Sequence, residues 1–176
     1  MRILKTFIAT ILFINSSFAT EYNCIEINRF TVDKDDISSR ALARAASIPE
    51  DVINILQVYV RNELNIDENG LKAVKGGDAT CDDPKKALVL DGLITDYKKG
   101  SQVMRYMVGF GAGKQKIQIE AVLSIKDTMK VIKKDRVVDR KIGGLIGGSD
   151  NKGKRDFAEK INNFVRTGLG MKKSKL

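Results

Sequence analysis

The sequence predicts an α+β domain: a mainly antiparallel sheet of four to five strands, with a long N-terminal helix and a C-terminal helix packed on it. Three observations lead there. Residues 117–125 (IQIEAVLSI) alternate apolar and polar side chains, the period-two pattern of a strand with one buried and one wet face. Val52, Ile55, Leu56, Tyr59, Val60 and Leu64 recur at helical spacing, so one helix face is buried. The elements run in the order strand, helix, strands, helix, with no internal repeat and no low-complexity linker.

The first strand is read from residues 24–32 (CIEINRFTV), where Ile25, Ile27 and Phe30 are the apolar positions, with an irregularity near Asn28. Residues 33–40 are polar and turn-like, and residues 40–46 (RALARAA) are either an extra helical turn or a loop. Pro49 opens the long helix, with Glu50 and Asp51 in the first turn, where acidic groups suit the helix dipole. Asn69-Gly70 ends that region, residues 71–74 form a short strand, and residues 76–84 (GGDATCDDP) form a loop. Residues 87–97 (ALVLDGLITDY) are apolar enough for a central strand, and residues 103–108 suit another extended piece. Residues 130–142 return beside 117–125 as a charged strand at a sheet edge, where lysines discourage stray pairing. Residues 154–167 close as a helix with Phe157, Ile161, Phe164 and Val165 on one face and Gly168 just past its end.

Residues 1–19 read as a secretory signal peptide: Arg2 and Lys5, an apolar run over 6–14, then Ser17-Phe18-Ala19 before the cut. A spanning helix needs about 20 apolar residues, roughly twice that run. Residues 20–170 then form a single domain, and 171–176 a basic tail. The chain is expected in the periplasm or secreted. Two cysteines in an exported chain predict a disulfide, Cys24–Cys81, against the other reading of two free buried thiols.

The net charge of +9 is unevenly spread. Residues 20–97 carry nine basic and fifteen acidic side chains, and residues 98–176 carry twenty basic and seven acidic. The second half therefore favours an anionic partner: a membrane surface, an acidic protein or a cell-wall polymer. Nucleic acid is disfavoured by the export signal and by only two aromatics among the basic residues near the loop, Tyr106 and Phe110.

Residues 108–115 (VGFGAGKQ) nearly spell a phosphate loop, but Val108 stands where its first glycine belongs, and Gln115 offers no hydroxyl after Lys114. The chain then enters a strand, whereas phosphate loops open a helix. No nucleotide and no cofactor is expected. Gly109, Gly111 and Gly113 serve backbone geometry. Gly143, Gly144, Gly147 and Gly148 repeat the spacing of membrane helix packing, but no apolar span surrounds them. The chain has no histidine. Asp82-Asp83 and Asp33, Asp35 and Asp36 lack calcium-loop spacing, so no metal and no catalytic residue is assigned. Arg105 either meets an anion or pairs with an aspartate such as Asp96.

The run Asp91-Gly92-Leu93-Ile94, then Tyr97, Gly100-Ser101, Arg105 and Gly109-Phe110-Gly111-Ala112-Gly113, with a second glycine-rich loop before the last helix, resembles the domain-of-unknown-function 4410 family of bacterial envelope proteins. The resemblance spans roughly residues 50–169. It implies export and no established enzyme activity. The order of elements is also similar, distantly, to the periplasmic domains of penicillin-binding-protein activators and of the curli secretion channel, which bind other envelope proteins. Residues 127–130 (DTMK) depart from the family's usual Thr-Gly turn, which implies a different hairpin there. Many relatives are lipoproteins, whereas Glu21-Tyr22-Asn23 before Cys24 is no lipid-attachment signal.

The expected function is that of a non-enzymatic periplasmic protein that binds or helps assemble an envelope protein complex. An anion-binding module for lipid headgroups or cell-wall polymer is the alternative, and a hydrolase with an unrecognised carboxylate pair is a third. The expected partner surface is the end carrying both glycine-rich loops, through Arg105, Phe110, Gly111, Gly113, Leu145 and Ile146.

Overall fold

The structure is a computed structural model that describes residues 21–35, 38–67, 70–98, 116–140 and 152–174. In chain order it contains strand β1 (Cys24–Ile27), helix α1 (Arg40–Ala46), helix α2 (Glu50–Ile66), strand β2 (Lys72–Lys75), strand β3 (Ala87–Lys98), strand β4 (Lys116–Ile125), strand β5 (Val131–Asp139) and helix α3 (Lys152–Gly168). The class is α+β, with five strands among the described residues, in the order β2-β1-β3-β4-β5.

The sheet is mixed rather than mainly antiparallel. β1 pairs in parallel with both β2 and β3, and only β3–β4 and β4–β5 are antiparallel. Parallel neighbours need a crossover, and α1 with α2 supplies it between β1 and β2. The long helix is accordingly not N-terminal, because a strand and a seven-residue helix precede it. Residues 40–46 settle as helix: the Ser39 hydroxyl accepts the Leu42 N–H and caps it. The last strand stops at Asp139, and the last helix runs to Gly168 instead of ending before it.

One apolar core lies between the sheet and the three helices. Ile25 and Ile27 of β1, Leu88 and Leu90 of β3, and Ile117, Ile119 and Leu123 of β4 face it. From the other side come Val52, Leu56, Val60 and Leu64 of α2 and Phe157, Ile161, Phe164 and Val165 of α3. Ile53 joins them, while Ile55 is only half-buried. Gln57 is the polar member of the buried α2 face. It donates to the Ile27 carbonyl at 2.7 Å, which also accepts the Gly76 N–H at 2.9 Å. At the β2 edge, Asn65 takes both outward main-chain groups of Ala73, at 2.8 and 2.9 Å.

Cys24 and Cys81 are joined, with their Cα atoms 5.9 Å apart. With Val74 and Ala87 they cover one end of the opposite sheet face. The Cys81 N–H donates to the Glu26 carboxylate at 2.6 Å, and Lys126 pairs with the same carboxylate. A cross-link over 57 residues contributes about 4 kcal/mol in the chain-entropy estimate. No helix among the described residues is long and apolar enough to cross a membrane.

Candidate functional site

Arg105, Phe110, Gly111, Gly113, Leu145 and Ile146 lie outside the described residues, as does the extended piece expected over 103–108. Their points of attachment are described. Lys98 at the end of β3 pairs with Lys116 at the start of β4, and Ile117 pairs with Asp139 at the end of β5. Both glycine-rich segments therefore leave from one end of the sheet.

That end is built around Asp96. A bulge between Ile94 and Asp96 inserts an extra residue in β3, so Ile94 and Tyr97 both join the core although they are three apart. Asp96 is 2% exposed. One carboxylate oxygen receives Arg44 of α1, from Nε at 2.9 Å and from its terminal nitrogen at 2.7 Å. The other oxygen receives Lys116 at 2.7 Å. Burial alone would raise this carboxyl, but the hydrogen bonds and charges of Lys116 and Arg44 outweigh it and hold the group below 3.8. Nearby, Tyr97 is pushed above 10.0 by burial and then by the Asp51 charge, and its hydroxyl has no partner among the described residues.

A carboxylate held ionised by two cations has no proton to donate. The arrangement anchors α1 to the β3–β4 edge of the site. Asp96 was the expected aspartate partner for Arg105, and the cations described on it are Arg44 and Lys116, distant in sequence from it and from each other. At the end of β5, across β4 from β3, Asp139 is held by Lys160 of α3 at 2.5 Å.

Asp33 and Asp83 of the acidic clusters take local roles. Asp33 accepts the Asp35 N–H in a turn, and Asp83 accepts the Lys85 N–H, capping the short 3-10 turn Pro84–Lys86. Among the described residues, no group of three or more Cys, Asp or Glu side chains is placed to hold a metal ion.

A second concave surface, absent from the sequence reading, runs between β5 and the C-terminal half of α3. It encloses about 320 Å³ and is lined by Lys133, Asp135, Arg136, Lys160, Phe164 and Lys173, among others. Lys133 donates to the Thr167 hydroxyl at 2.5 Å and lies over the Phe164 ring, 5.0 Å from its centroid.

The domain of unknown function DUF4410 matches residues 25–146. The chain belongs to the DUF4410 family. The match begins at β1, earlier than the residue pattern indicated, and takes in both described strand pairs beside β3. A search of curated proteins finds no match by sequence. Among solved structures, the chain is similar to the PelC dodecamer from Paraburkholderia phytofirmans at a TM-score of 0.50 and 9% identity, covering 86% of this chain and 90% of that one. A DUF330 protein from Xanthomonas campestris follows at a TM-score of 0.43 and 10% identity, covering 85% and 82%. At 9% identity the likeness to PelC concerns the fold alone.

The DUF4410 residues in β3 acquire physical reasons. Asp91 accepts the Asn28 side chain at 2.8 Å, tying β3 to the end of β1. Gly92 faces the Phe30 ring: a Cβ there would stand 2.6 Å from one ring carbon and 2.9 Å from the Ile119 methyl. Phe30 in turn meets Phe157 edge to face, with centroids 6.3 Å apart. The glycine thus seats the aromatic pair that links β3 to α3.

Proposed function

We propose that this DUF4410 chain is an exported, non-enzymatic protein of the bacterial envelope that binds or helps assemble an envelope protein complex. The observation that carries the reading is the Cys24–Cys81 disulfide. Such bonds persist in oxidising compartments, and the apolar run over 6–14 with Ser17-Phe18-Ala19 supplies the matching export signal. The fold it shares with PelC, a protein that assembles as a dodecamer, supports an assembly role. The engaged state of Asp96 supports a scaffold at the loop-bearing end rather than acid–base chemistry there.

The test is made in intact cells. Mass spectrometry of the exported chain is expected to give an N-terminus at Thr20 or Glu21 and no alkylatable thiol without reductant. Crosslinking before lysis is expected to capture a defined envelope protein. An intact Met1, two reactive thiols or no crosslinked species would overturn the reading. The basic groove favours a second reading, an anion-binding module for lipid headgroups or cell-wall polymer. Capture that collapses steeply with salt and is replaced by vesicle or polymer binding would select it.

A further inference from the structure

We propose that the groove between β5 and α3 takes an acidic, extended segment of a partner protein as an added sheet strand. The inference rests on the binding reading above and assigns it a surface and a ligand chemistry.

The two edges of the sheet differ. At β2, Asn65 occupies the outward N–H and C=O of Ala73. Among the described residues β5 ends the sheet, and its edge faces the groove. The Val138 carbonyl accepts the Lys160 ammonium at 3.0 Å, so it points away from β4. The Ile125 N–H bonds the Lys130 carbonyl and the Lys126 N–H bonds the Ala87 carbonyl, so odd-numbered β4 residues turn toward β5. Their partners are the odd residues 133–139, paired with 117–123. In an antiparallel ladder, both main-chain groups of a residue point the same way and successive residues alternate. Lys134, Arg136 and Val138 therefore turn their main-chain groups outward, and since Lys160 takes the Val138 carbonyl, Lys134 and Arg136 are the pair at the spacing an incoming strand uses.

The lining sets the ligand's charge. Lys160 is taken up by Asp139, which leaves Lys133, Arg136 and Lys173 as three cations against one carboxylate, Asp135, while Val137 and Phe164 give the wall apolar surface. Asp135 also accepts the Arg136 N–H at 2.7 Å, occupying a main-chain donor that an incoming carbonyl would take. An alternating acidic and apolar strand satisfies both demands: its carbonyls and N–H groups meet the edge, and its carboxylates meet the cations.

The probe is a synthetic Glu-Val alternating decapeptide, titrated onto the purified chain with its disulfide intact. Saturable binding is expected, with chemical-shift changes at the Lys134 and Arg136 amides. Lys134→Pro removes an outward N–H at an edge position, where proline is tolerated, and is expected to weaken binding about tenfold, the effect of one main-chain hydrogen bond with some distortion. Asp135→Ala, which frees the Arg136 N–H and removes the opposing charge, is expected to tighten it several-fold. Both variants are checked for an unchanged melting temperature. Should Lys134→Pro unfold the chain, the same peptide with methylated main-chain nitrogens replaces it as the control. Equal binding of the methylated peptide, or no tightening in Asp135→Ala, would reduce the groove to a nonspecific basic patch and overturn the proposal. Concentration-dependent oligomers that occupy β5 and exclude the peptide would overturn it too, by assigning the edge to a second copy. Loss of peptide binding with in-cell capture retained removes this groove alone. Loss of capture removes the wider reading.

Discussion

At the scale of single residues, Asp96 is where charge decides stability. It is buried, and its two oxygens are divided between Arg44 and Lys116. Its carboxyl lies below its ordinary 3.8, so the stabilisation is fully present above that pH and is lost as pH falls through the lowered value. Asp96→Asn leaves two cations facing a neutral amide. The expected loss is about 2 kcal/mol near neutrality, since both cations keep some contact with water and the full cost of a broken buried pair is not reached. Thermal unfolding from about pH 7 down to about pH 3 checks the sign. The gap between parent and variant should narrow on acidification, and a constant gap would assign the loss to packing instead. Arg44 and Lys116 were invisible as partners in the sequence, because no local pattern links three residues brought together by a helix and two strands.

At the scale of elements, the β4–β5 hairpin shows how far sequence reasoning reaches. The alternation over 117–125 named the buried side chains, and Ile117, Ile119, Ala121 and Leu123 all lie in the core. The charged return strand sits at the sheet edge, as its lysines indicated. The parallel pairing of β1 was missed, since alternation is the same for either direction and neighbour choice is non-local. The strand–helix–strand order over 24–75 was the available signal. Met129 adopts φ 54°, the left-handed region glycine occupies readily, and is 62% exposed. Met129→Gly removes the backbone cost of about 1 kcal/mol and raises the freedom of the unfolded chain by somewhat less. The net expectation is a gain of about 0.5 kcal/mol in denaturant unfolding. A loss would mean that Met129 contributes packing its exposure does not show.

At the scale of the whole molecule, the fold carries two separate candidate surfaces. The glycine-rich segments leave from the sheet end marked by Lys98, Lys116 and Asp139, whereas the basic groove reaches Thr167 and Lys173 at the other end of α3. A chain that assembles a complex gains from two such surfaces, since each can hold a different component. The loop end is tested by replacing Phe110 and Leu145 together with serine. Loops on a rigid sheet commonly carry function, and the Asp96 and Asp139 ion pairs fix the sheet end from which these segments leave. If the two side chains dock a partner, the double variant loses in-cell capture while its melting temperature moves little, because exposed side chains contribute little to folding. If they fold back onto the sheet, the variant loses several kcal/mol of stability, as truncated core side chains do. Unfolding measured beside capture separates the two. A destabilised double variant would withdraw the loop end as a binding surface and leave the β5–α3 groove as the place where a partner is held.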